Sequence, residues 1–180
     1  MSLDRVRIGI LGTGNIAPLN VAGYLDHPRC DIVAVCDNRR EKAEAAAAKL
    51  RSINSEITIE PVVAHIDRSN IGSLAADVDL VLDGSDNFEI RYLINDVCVR
   101  DGKPWVHGGC IGSHGQTMTI IPGKTPCLRC VFEAAPGPGE AANCDTAGVL
   151  APIISIIANF QATEALKILV GKPEAINREL

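Results

Sequence analysis

Short apolar runs alternate with longer polar or alanine-rich segments through the first half of this chain. The runs have the length and β-branched content of buried strands, and they lie at residues 6–11, 32–36, 57–63 and 79–82. The segments that follow them predict helices at residues 40–53, 67–76 and 88–100, the second of these capped by Asp67 or Ser69. This alternation predicts an α/β fold with a doubly wound, mostly parallel sheet and helices on both faces.

The second half of the chain is less regular. A short strand is predicted at residues 105–107, and alternation at residues 116–121 predicts a small antiparallel addition to the sheet. Residues 122–145 are rich in Pro and Gly and contain cysteines, which predicts a Cys-containing loop. Residues 146–170 predict a long apolar helix that bends near Pro152. Because no repeat or internal boundary interrupts this order, residues 1–180 are predicted to form a single domain.

Composition and charge narrow the range of partners. A chain of 180 residues can form one domain with a real core. Lys and Arg number 17 against 22 Asp and Glu, a net charge of −5, and no basic cluster occurs, so no nucleic-acid partner is expected. No apolar run reaches the roughly 18 residues of a membrane helix and no signal-peptide layout is present, so we expect a cytoplasmic protein without membrane contact.

A glycine-rich turn follows the first strand. Gly12 and Gly14 let the backbone approach a phosphate closely, and a helix predicted from there to about residue 26 would offer its N-terminal amides. Ala17 stands where the dinucleotide fingerprint has its third glycine, and Asp37 is placed to meet a ribose hydroxyl. These features predict a Rossmann-like nucleotide-binding domain without separating ATP from NAD(P). The alternative is a glycine turn that only packs a helix against a strand.

The most informative segment follows the strand at residues 79–82. Asp86 lies just past the carboxyl end of that strand, where open α/β sheets bind ligands. A carboxylate in that place could hold Mg²⁺ together with substrate phosphates. The alternative role for Asp86 is to cap the helix at residues 88–100.

From about residue 40 to residue 180, the chain resembles the ThiF/MoeB/HesA family, bacterial relatives of the ubiquitin-activating enzymes. The resemblance rests on motifs in a fixed order: Lys-Ala-Glu-Ala-Ala-Ala from residue 42, Ser-Asp-Asn from residue 85 with Arg91 and Asn95, Cys-Leu-Arg-Cys from residue 127, Asn-Cys-Asp-Thr-Ala-Gly from residue 143, and Gln-Ala-Thr-Glu-Ala-Leu-Lys from residue 161. Such a series is far more specific than a lone glycine fingerprint.

The resemblance implies an adenylyltransferase that uses ATP to activate the C-terminus of a small ubiquitin-like or sulfur-carrier protein, and it implies a homodimer. Asp86 would coordinate Mg²⁺ and Lys42 would contact the phosphates, because charge must be neutralised as pyrophosphate leaves. The residues that would line the nucleotide are Gly12, Gly14, Asp37, Asn87 and Arg91.

Two other interpretations stay open from the sequence. The chain passes directly from Asp37 to Lys42, where the family has a longer stretch with an arginine that helps adenylation. A chimeric or truncated scaffold without turnover is therefore one alternative. Residues 6–48 also resemble the start of a Gfo/Idh/MocA-type dehydrogenase, which implies an NAD(P)-dependent oxidoreductase. The Glu-Lys-Pro motif of that family is absent at the matching residues 105–109.

Three cysteines are candidates for chemistry, and the odd total of seven favours thiols or metal ligands over a disulfide framework. Cys127 and Cys130 form a CxxC pair, half of a structural zinc site; the resemblance implies zinc, and free thiols or a disulfide are the alternative. Cys144 precedes a helix, which lowers a thiol pKa, and the resemblance implies a covalent link to the carrier; an ordinary turn cysteine is the alternative. Core packing is expected for Cys30, Cys36, Cys98 and Cys110, and a structural or surface role for His27, His65, His107 and His114.

Overall fold

The computed structural model describes residues 6–11, 30–132, 134, 136–137 and 144–178. The strands are β1 Val6–Leu11, β2 Cys30–Asp37, β3 Glu60–Val63, β4 Leu80–Asp83, β5 Trp105–Ile111 and β6 His114–Ile120. The helices are α1 Arg40–Ile53, α2 Ile71–Ala76, α3 Phe88–Arg100, α4 Leu128–Val131, α5 Cys144–Ala147 and α6 Ala151–Leu169, followed by a 3₁₀ turn at Pro173–Ala175.

The described strands form one six-stranded sheet in the order β3-β2-β1-β4-β5-β6. Every neighbouring pair from β3 to β5 is parallel, and β6 alone runs antiparallel to β5. The chain moves outward from β1 to β3 and then returns to the other side of β1 with β4. This arrangement confirms the predicted α/β fold, with its mostly parallel, doubly wound sheet and its small antiparallel addition.

Helices cover both faces of the sheet because successive side chains of each strand point to opposite faces. On one face, Leu80 and Leu82 of β4 pack in a cluster that includes residues of α1 and α6. On the other face, Val81 and Trp105 pack in a second cluster with residues of α2, α3 and α4. All four of these strand side chains are at most 1% exposed, so β4 and β5 are buried from both sides.

Several predicted boundaries agree with the structure, and others are corrected. Strand β1 and the helices α1 and α3 span the predicted residues. The strand predicted at residues 57–63 begins only at residue 60, and the helix predicted at 67–76 begins at residue 71. Its start is delayed because the Asp67 carboxylate accepts hydrogen bonds from the Ser69 amide at 2.7 Å and hydroxyl at 2.6 Å, closing a turn. The N-cap is therefore Asn70, not Asp67 or Ser69.

The long apolar helix predicted at residues 146–170 is two helices. Gly148 has φ 70°, a left-handed conformation that ends α5, and α6 begins after Leu150. Pro152 lies in the first turn of α6, where its missing N–H removes no helical hydrogen bond, so it starts the helix instead of bending it. The predicted 122–145 loop contains the short helix α4, and β5 extends to residue 111.

The glycine turn at Gly12 and Gly14, and the helix predicted after it, lie outside the described residues. None of the helices in the described part of the chain has both the length and the apolar composition needed to cross a membrane.

Candidate functional site

The carboxyl ends of β1, β2 and β4 meet at the point where the strand order reverses. Leu11, the last residue of β1, is in register with Cys36 of β2 and with Asp83 of β4. Neighbouring strands lie about 4.8 Å apart, so the ends of β2 and β4 are separated by about 10 Å, with β1 between them. In open α/β sheets such a reversal leaves a crevice in which ligands bind. The predicted nucleotide residues therefore follow strand ends that lie side by side.

A buried polar network lies at the end of β4. Asp83 and His107 are 0% exposed and Arg91 is 7% exposed. The Asp83 Oδ2 atom lies 2.8 Å from His107 Nδ1 and 3.3 Å from Arg91 Nε. Burial by itself would raise the pKa of Asp83, but the hydrogen bond from His107 and the charge of Arg91 outweigh it and hold this pKa below its usual value. Asp83 is thus a carboxylate inside the protein, paired with one guanidinium.

This network holds the residue that precedes Asp86. The Ser85 amide and hydroxyl both donate to Asp83 Oδ1, at 2.9 Å and 2.6 Å. The Ser85 carbonyl accepts from the Arg91 guanidinium at 2.8 Å. The Asp86 side chain itself is exposed at the rim of the sheet. A negatively charged group is therefore presented to solvent on a loop whose base is fixed from the interior.

Asn87, not Asp86, caps α3. The Asn87 Oδ1 atom accepts a hydrogen bond from the Ile90 amide at 2.9 Å, the usual N-cap interaction. The alternative interpretation of Asp86 as the helix cap is therefore wrong. Asp86 keeps a carboxylate that the helix does not use as its cap, at an edge where ligands bind.

On the other side of β1, the predicted ribose and phosphate residues lie close in sequence and in space. Asp37 ends β2, and its Oδ1 atom accepts from the Arg39 amide at 2.9 Å, which closes a tight turn. Helix α1 begins immediately afterwards, and Lys42 lies half-buried in its first turn. The shortened connection is therefore a compact turn between β2 and α1, which places Asp37 and Lys42 at the same end of the sheet.

Two glycines of β5 allow side chains to lie flat against the strand from both faces. A Cβ atom on Gly108 would lie 2.5 Å from Gln161 Nε2 and would also overlap Gln161 Cδ and Oε1. A Cβ on Gly109 would lie 3.3 Å from the Arg91 guanidinium. The buried Gln161 donates from Nε2 to the carbonyls of Asp83 at 2.9 Å and Val106 at 3.1 Å. Gln161 of α6 thereby joins β4 to β5 where their backbone pairing ends.

The sequence interpretation treated His107 as structural or surface, and its complete burial confirms a structural position. From the sequence, no site role is assigned to Asp83, Gly108, Gly109 or Gln161. One signal was available, because two adjacent glycines inside a strand indicate that something approaches the backbone closely.

The CxxC pair has a geometry that fits half of a zinc site. The Sγ atoms of Cys127 and Cys130 are 3.7 Å apart, and four sulfurs at about 2.3 Å around a tetrahedral zinc ion would be about 3.8 Å apart. Burial would raise the pKa of the Cys127 thiol, but the hydrogen bond with Cys130 and backbone donors lower it. Within the described residues, no group of three or more His, Cys, Asp or Glu side chains could hold a metal ion. Two further ligands are therefore required.

Helix α3 holds the CxxC segment, residues 127–132, against the sheet. The buried Asn95 Oδ1 atom accepts from the Leu128 amide at 2.9 Å, and the Tyr92 hydroxyl donates to the Phe132 carbonyl at 2.8 Å. The Arg129 guanidinium forms two 2.7 Å hydrogen bonds with Asp96 and lies 4.8 Å from the Tyr92 ring centroid. Residues of α3 thus contact two regions. Arg91, near its N-terminus, contacts the loop that carries Asp86, and later residues contact the CxxC segment.

The remaining cysteines divide by burial. Cys36 and Cys98 are core residues, as predicted, and burial raises their pKa values to about 11 and about 12. Cys110 is only half-buried, so its predicted core position is not borne out. Cys144 begins α5, but its side chain lies outside the described residues, as does the burial of Cys30.

The chain matches known proteins in sequence. A model of the ThiF family matches residues 31–180. The chain is 40% identical over 169 residues to the sulfur carrier protein ThiS adenylyltransferase of Bacillus subtilis, an alignment that covers 93% of the chain and 49% of the relative. It is 45% identical over 139 residues to the SAMP-activating enzyme E1 of Haloferax volcanii, covering 77% of the chain and 51% of the relative. The chain spans about half the length of these curated relatives.

The fold also matches solved structures. Escherichia coli MccB crystallised with ATP superposes with a TM-score of 0.77 at 19% identity, over 97% of this chain and 60% of that chain. MccB with its N-formylated MccA gives a TM-score of 0.79 at 20% identity, with the same coverage. At this identity the likeness establishes the shared Rossmann-like fold.

Proposed function

The chain belongs to the ThiF family, and we propose on that basis that it takes part in the ATP-dependent adenylation of the C-terminus of a small ubiquitin-like or sulfur-carrier protein. The relatives named for their activity act on such proteins: one is an adenylyltransferase for ThiS, and the other is an activating enzyme for SAMP proteins. Because the chain spans about half of each relative, the complete activity is part of the proposal.

The observation that carries the proposal is the placement of Asp86. Its exposed carboxylate lies three residues after Asp83, which ends β4 beside the end of β1, at the reversal of strand order. A carboxylate there fits Mg²⁺, which proteins hold through one or two carboxylates and substrate phosphates. When bound, Mg²⁺ would neutralise charge on the phosphates as pyrophosphate leaves.

The remaining residues take roles on the two sides of β1. We assign the nucleotide to Gly12, Gly14 and Asp37, with Lys42 close to its phosphates. Asn87, which caps α3, and Arg91 complete the nucleotide side of the site in this proposal.

The cysteines and one apolar surface bear on three further parts of the proposal: a zinc site, a covalent link to the carrier and a homodimer. Cys127 and Cys130 would supply two ligands to a zinc ion, consistent with their sulfur separation of 3.7 Å. Cys144, at the start of α5, would form the covalent link to the carrier. A homodimer is proposed because large apolar side chains are exposed at and beside α6, at 59% for Leu150, 49% for Ile156 and 52% for Phe160. A cytoplasmic location stays a prediction from the sequence.

The dehydrogenase alternative has no contact in the described residues that favours it, and the NAD(P) interpretation stays a prediction from residues 6–48. Calorimetric titration separates the two functions directly. We expect Mg-ATP to bind and NADH and NADPH not to bind; binding of the dinucleotides alone would overturn the adenylation proposal.

The decisive experiment is ATP–pyrophosphate exchange with a ThiS sulfur-carrier protein as the second substrate. Asp86→Asn removes the charge and keeps the shape, and we expect at least about a 10²-fold loss of exchange, as when one group that stabilises transition-state charge is removed. Glu89→Gln is the matched control, because Glu89 is an exposed carboxylate three residues away, in the first turn of α3. Equal exchange rates for the two variants would refute the proposal.

A further inference from the structure

The loop that carries Asp86 is fixed by groups that do not face solvent. We propose that Asp83, Arg91 and His107 act as positioning residues, which set the direction of the Asp86 carboxylate by fixing Ser85. This inference deepens the proposed function and rests on it, because it assumes that Asp86 binds Mg²⁺. Asp83 and His107 are assigned no contact with the nucleotide or the metal, and the role proposed here for Arg91 is exerted through Ser85.

Ser85 is held at all of its polar groups. Its amide and hydroxyl donate to Asp83 Oδ1, at 2.9 Å and 2.6 Å, and its carbonyl accepts from Arg91 at 2.8 Å. That carbonyl belongs to the peptide plane that joins Ser85 to Asp86. Arg91 therefore fixes the orientation of the peptide plane from which Asp86 extends.

The residue after Asp86 is fixed as well. Asn87 caps α3 through its 2.9 Å bond from the Ile90 amide, so its position follows that of the helix. Asp86 is thus the single residue between two anchored neighbours. Its exposed side chain can reorient toward a ligand, but its Cα position is set by the interior.

Asp83 is itself held in one position. Its Oδ2 atom meets His107 Nδ1 at 2.8 Å and Arg91 Nε at 3.3 Å. The His107 Nε2 atom lies 3.3 Å from the Gln116 side-chain nitrogen. This pattern assigns the proton to Nδ1, where His107 donates to Asp83, with Nε2 accepting from Gln116. Asp83 is thus held by His107 on one side and by the guanidinium of Arg91 on the other.

A buried ion pair of this kind needs a reason other than stability. Removing two charges from water costs about as much as their attraction returns, and apolar replacements are often equally stable. A positioning role supplies the reason, because the hydrogen bonds that Asp83 and Arg91 make to Ser85 have defined directions and apolar contacts do not. Arg91, whose guanidinium is directed at Ser85 and at the Gly108 carbonyl, then serves the site through the loop.

The test measures ATP–pyrophosphate exchange as a function of free Mg²⁺ at saturating ATP and ThiS, and it measures the Mg²⁺ dependence of ATP binding by calorimetry in the absence of turnover. Ser85→Ala removes the hydroxyl bond to Asp83 at a half-buried position, and Ser85→Thr restores it. We expect Ser85→Ala to raise the Mg²⁺ concentration for half-maximal rate by about 10-fold, the effect typical of removing a group that orients a metal ligand. Ser85→Thr should lie within about 3-fold of the unaltered chain.

A second pair tests the far side of the network. His107→Leu removes the donor to Asp83, and His107→Asn keeps a side-chain nitrogen close to the position of Nδ1. We expect the Leu variant to show the same shift in Mg²⁺ dependence and the Asn variant to reverse most of it. Circular dichroism and a melting curve establish whether each variant is folded. If His107→Leu does not fold, the Ser85→Ala and Ser85→Thr variants alone decide the positioning role.

The outcomes separate this inference from the proposed function. A folded Ser85→Ala variant with unaltered Mg²⁺ dependence, or one that only lowers the maximal rate, would overturn the positioning role. The same assay on Asp86→Asn isolates the premise. If Asp86→Asn also leaves Mg²⁺ dependence unaltered, the proposed function fails together with the inference; if Asp86→Asn shifts it and Ser85→Ala does not, only the inference fails.

Discussion

Helix α6 approaches the sheet closely at Gly108, and replacement of this glycine by alanine gives a sharp test of the described packing. The new Cβ would lie 2.5 Å from Gln161 Nε2, well inside van der Waals contact. Gln161 is 0% exposed and bridges the Asp83 and Val106 carbonyls. It cannot move away without losing both hydrogen bonds. Gly108→Ala must therefore displace either the side chain or the helix that carries it.

The expected cost follows from these contacts. Overpacking a buried site costs about 1–3 kcal/mol, and each lost hydrogen bond adds about 1 kcal/mol. We expect Gly108→Ala to lower the free energy of unfolding by about 3–5 kcal/mol, a large part of the 5–15 kcal/mol roughly typical of a domain. Urea unfolding, followed by circular dichroism, measures this change in free energy. The comparison holds if the slope of the unfolding free energy against urea concentration is the same for the variant and the parent chain.

Gly72→Ala is the matched control. Gly72 lies in α2, and the nearest atom to its added Cβ is the end of the flexible Arg100 side chain, at 3.4 Å. Alanine favours the helix, so this variant should be neutral or up to about 1 kcal/mol more stable. Equal effects of the Gly108 and Gly72 replacements would show that the packing at Gly108 is not as described.

A double variant identifies the partner. If the cost at Gly108 comes from Gln161, then Gly108→Ala should cost less when Gln161→Ala has already removed the amide, with a coupling energy of about 1–3 kcal/mol. Independent, additive effects of the two replacements would refute the reasoning, even if each alone is destabilising.

Two further predictions concern titratable groups. In the metal-free chain at about pH 8, Cys127 and Cys130 should be alkylated by iodoacetamide while Cys98 stays unlabelled until unfolding, because burial raises the Cys98 pKa to about 12; peptide mapping that finds Cys98 labelled in the folded chain would contradict this. The lowered pKa of Asp83 means that its contribution to stability is present above the unfolded value of about 3.9 and is lost as pH falls through the folded value. Asp83→Asn should therefore be less stable near neutral pH and should lose less stability than the parent chain as the pH falls below the unfolded value; the same dependence of stability on acid pH in both proteins would contradict this.

The sequence predicted the parts of the fold that depend on local pattern. Helix α1 has no Gly or Pro inside it, and α3 has a polar start at Asn87 and a stop at Gly102, so their ends agree with the prediction. The prediction of one continuous helix at residues 146–170 was wrong. Hydrophobic periodicity does not reveal that Gly148 adopts a left-handed conformation, which separates two helices. Local pattern likewise gave no warning that Asp67 would close a turn with Ser69.

The candidate site was predictable only where its residues follow strand ends. Asp86 was located from the strand before it, since parallel strands deliver such residues to one edge. The network beneath it was not, because its members are distant in sequence: His107 is 24 residues from Asp83, and Gln161 is 78. Their contacts depend on the strand order and on how α6 crosses β5, which no local pattern encodes.

Helix α3 contacts two regions of the site that are distant from each other in sequence. Its N-terminal end holds the Asp86 loop through Arg91, and its later turns hold the CxxC segment through Asn95. A helix of 13 residues is about 20 Å long and nearly inflexible, so a rotation about its axis displaces both attachments at once. A substitution that changes the packing of α3 is therefore expected to shift both the Asp86 loop and the CxxC segment. Selection then acts on the two regions together.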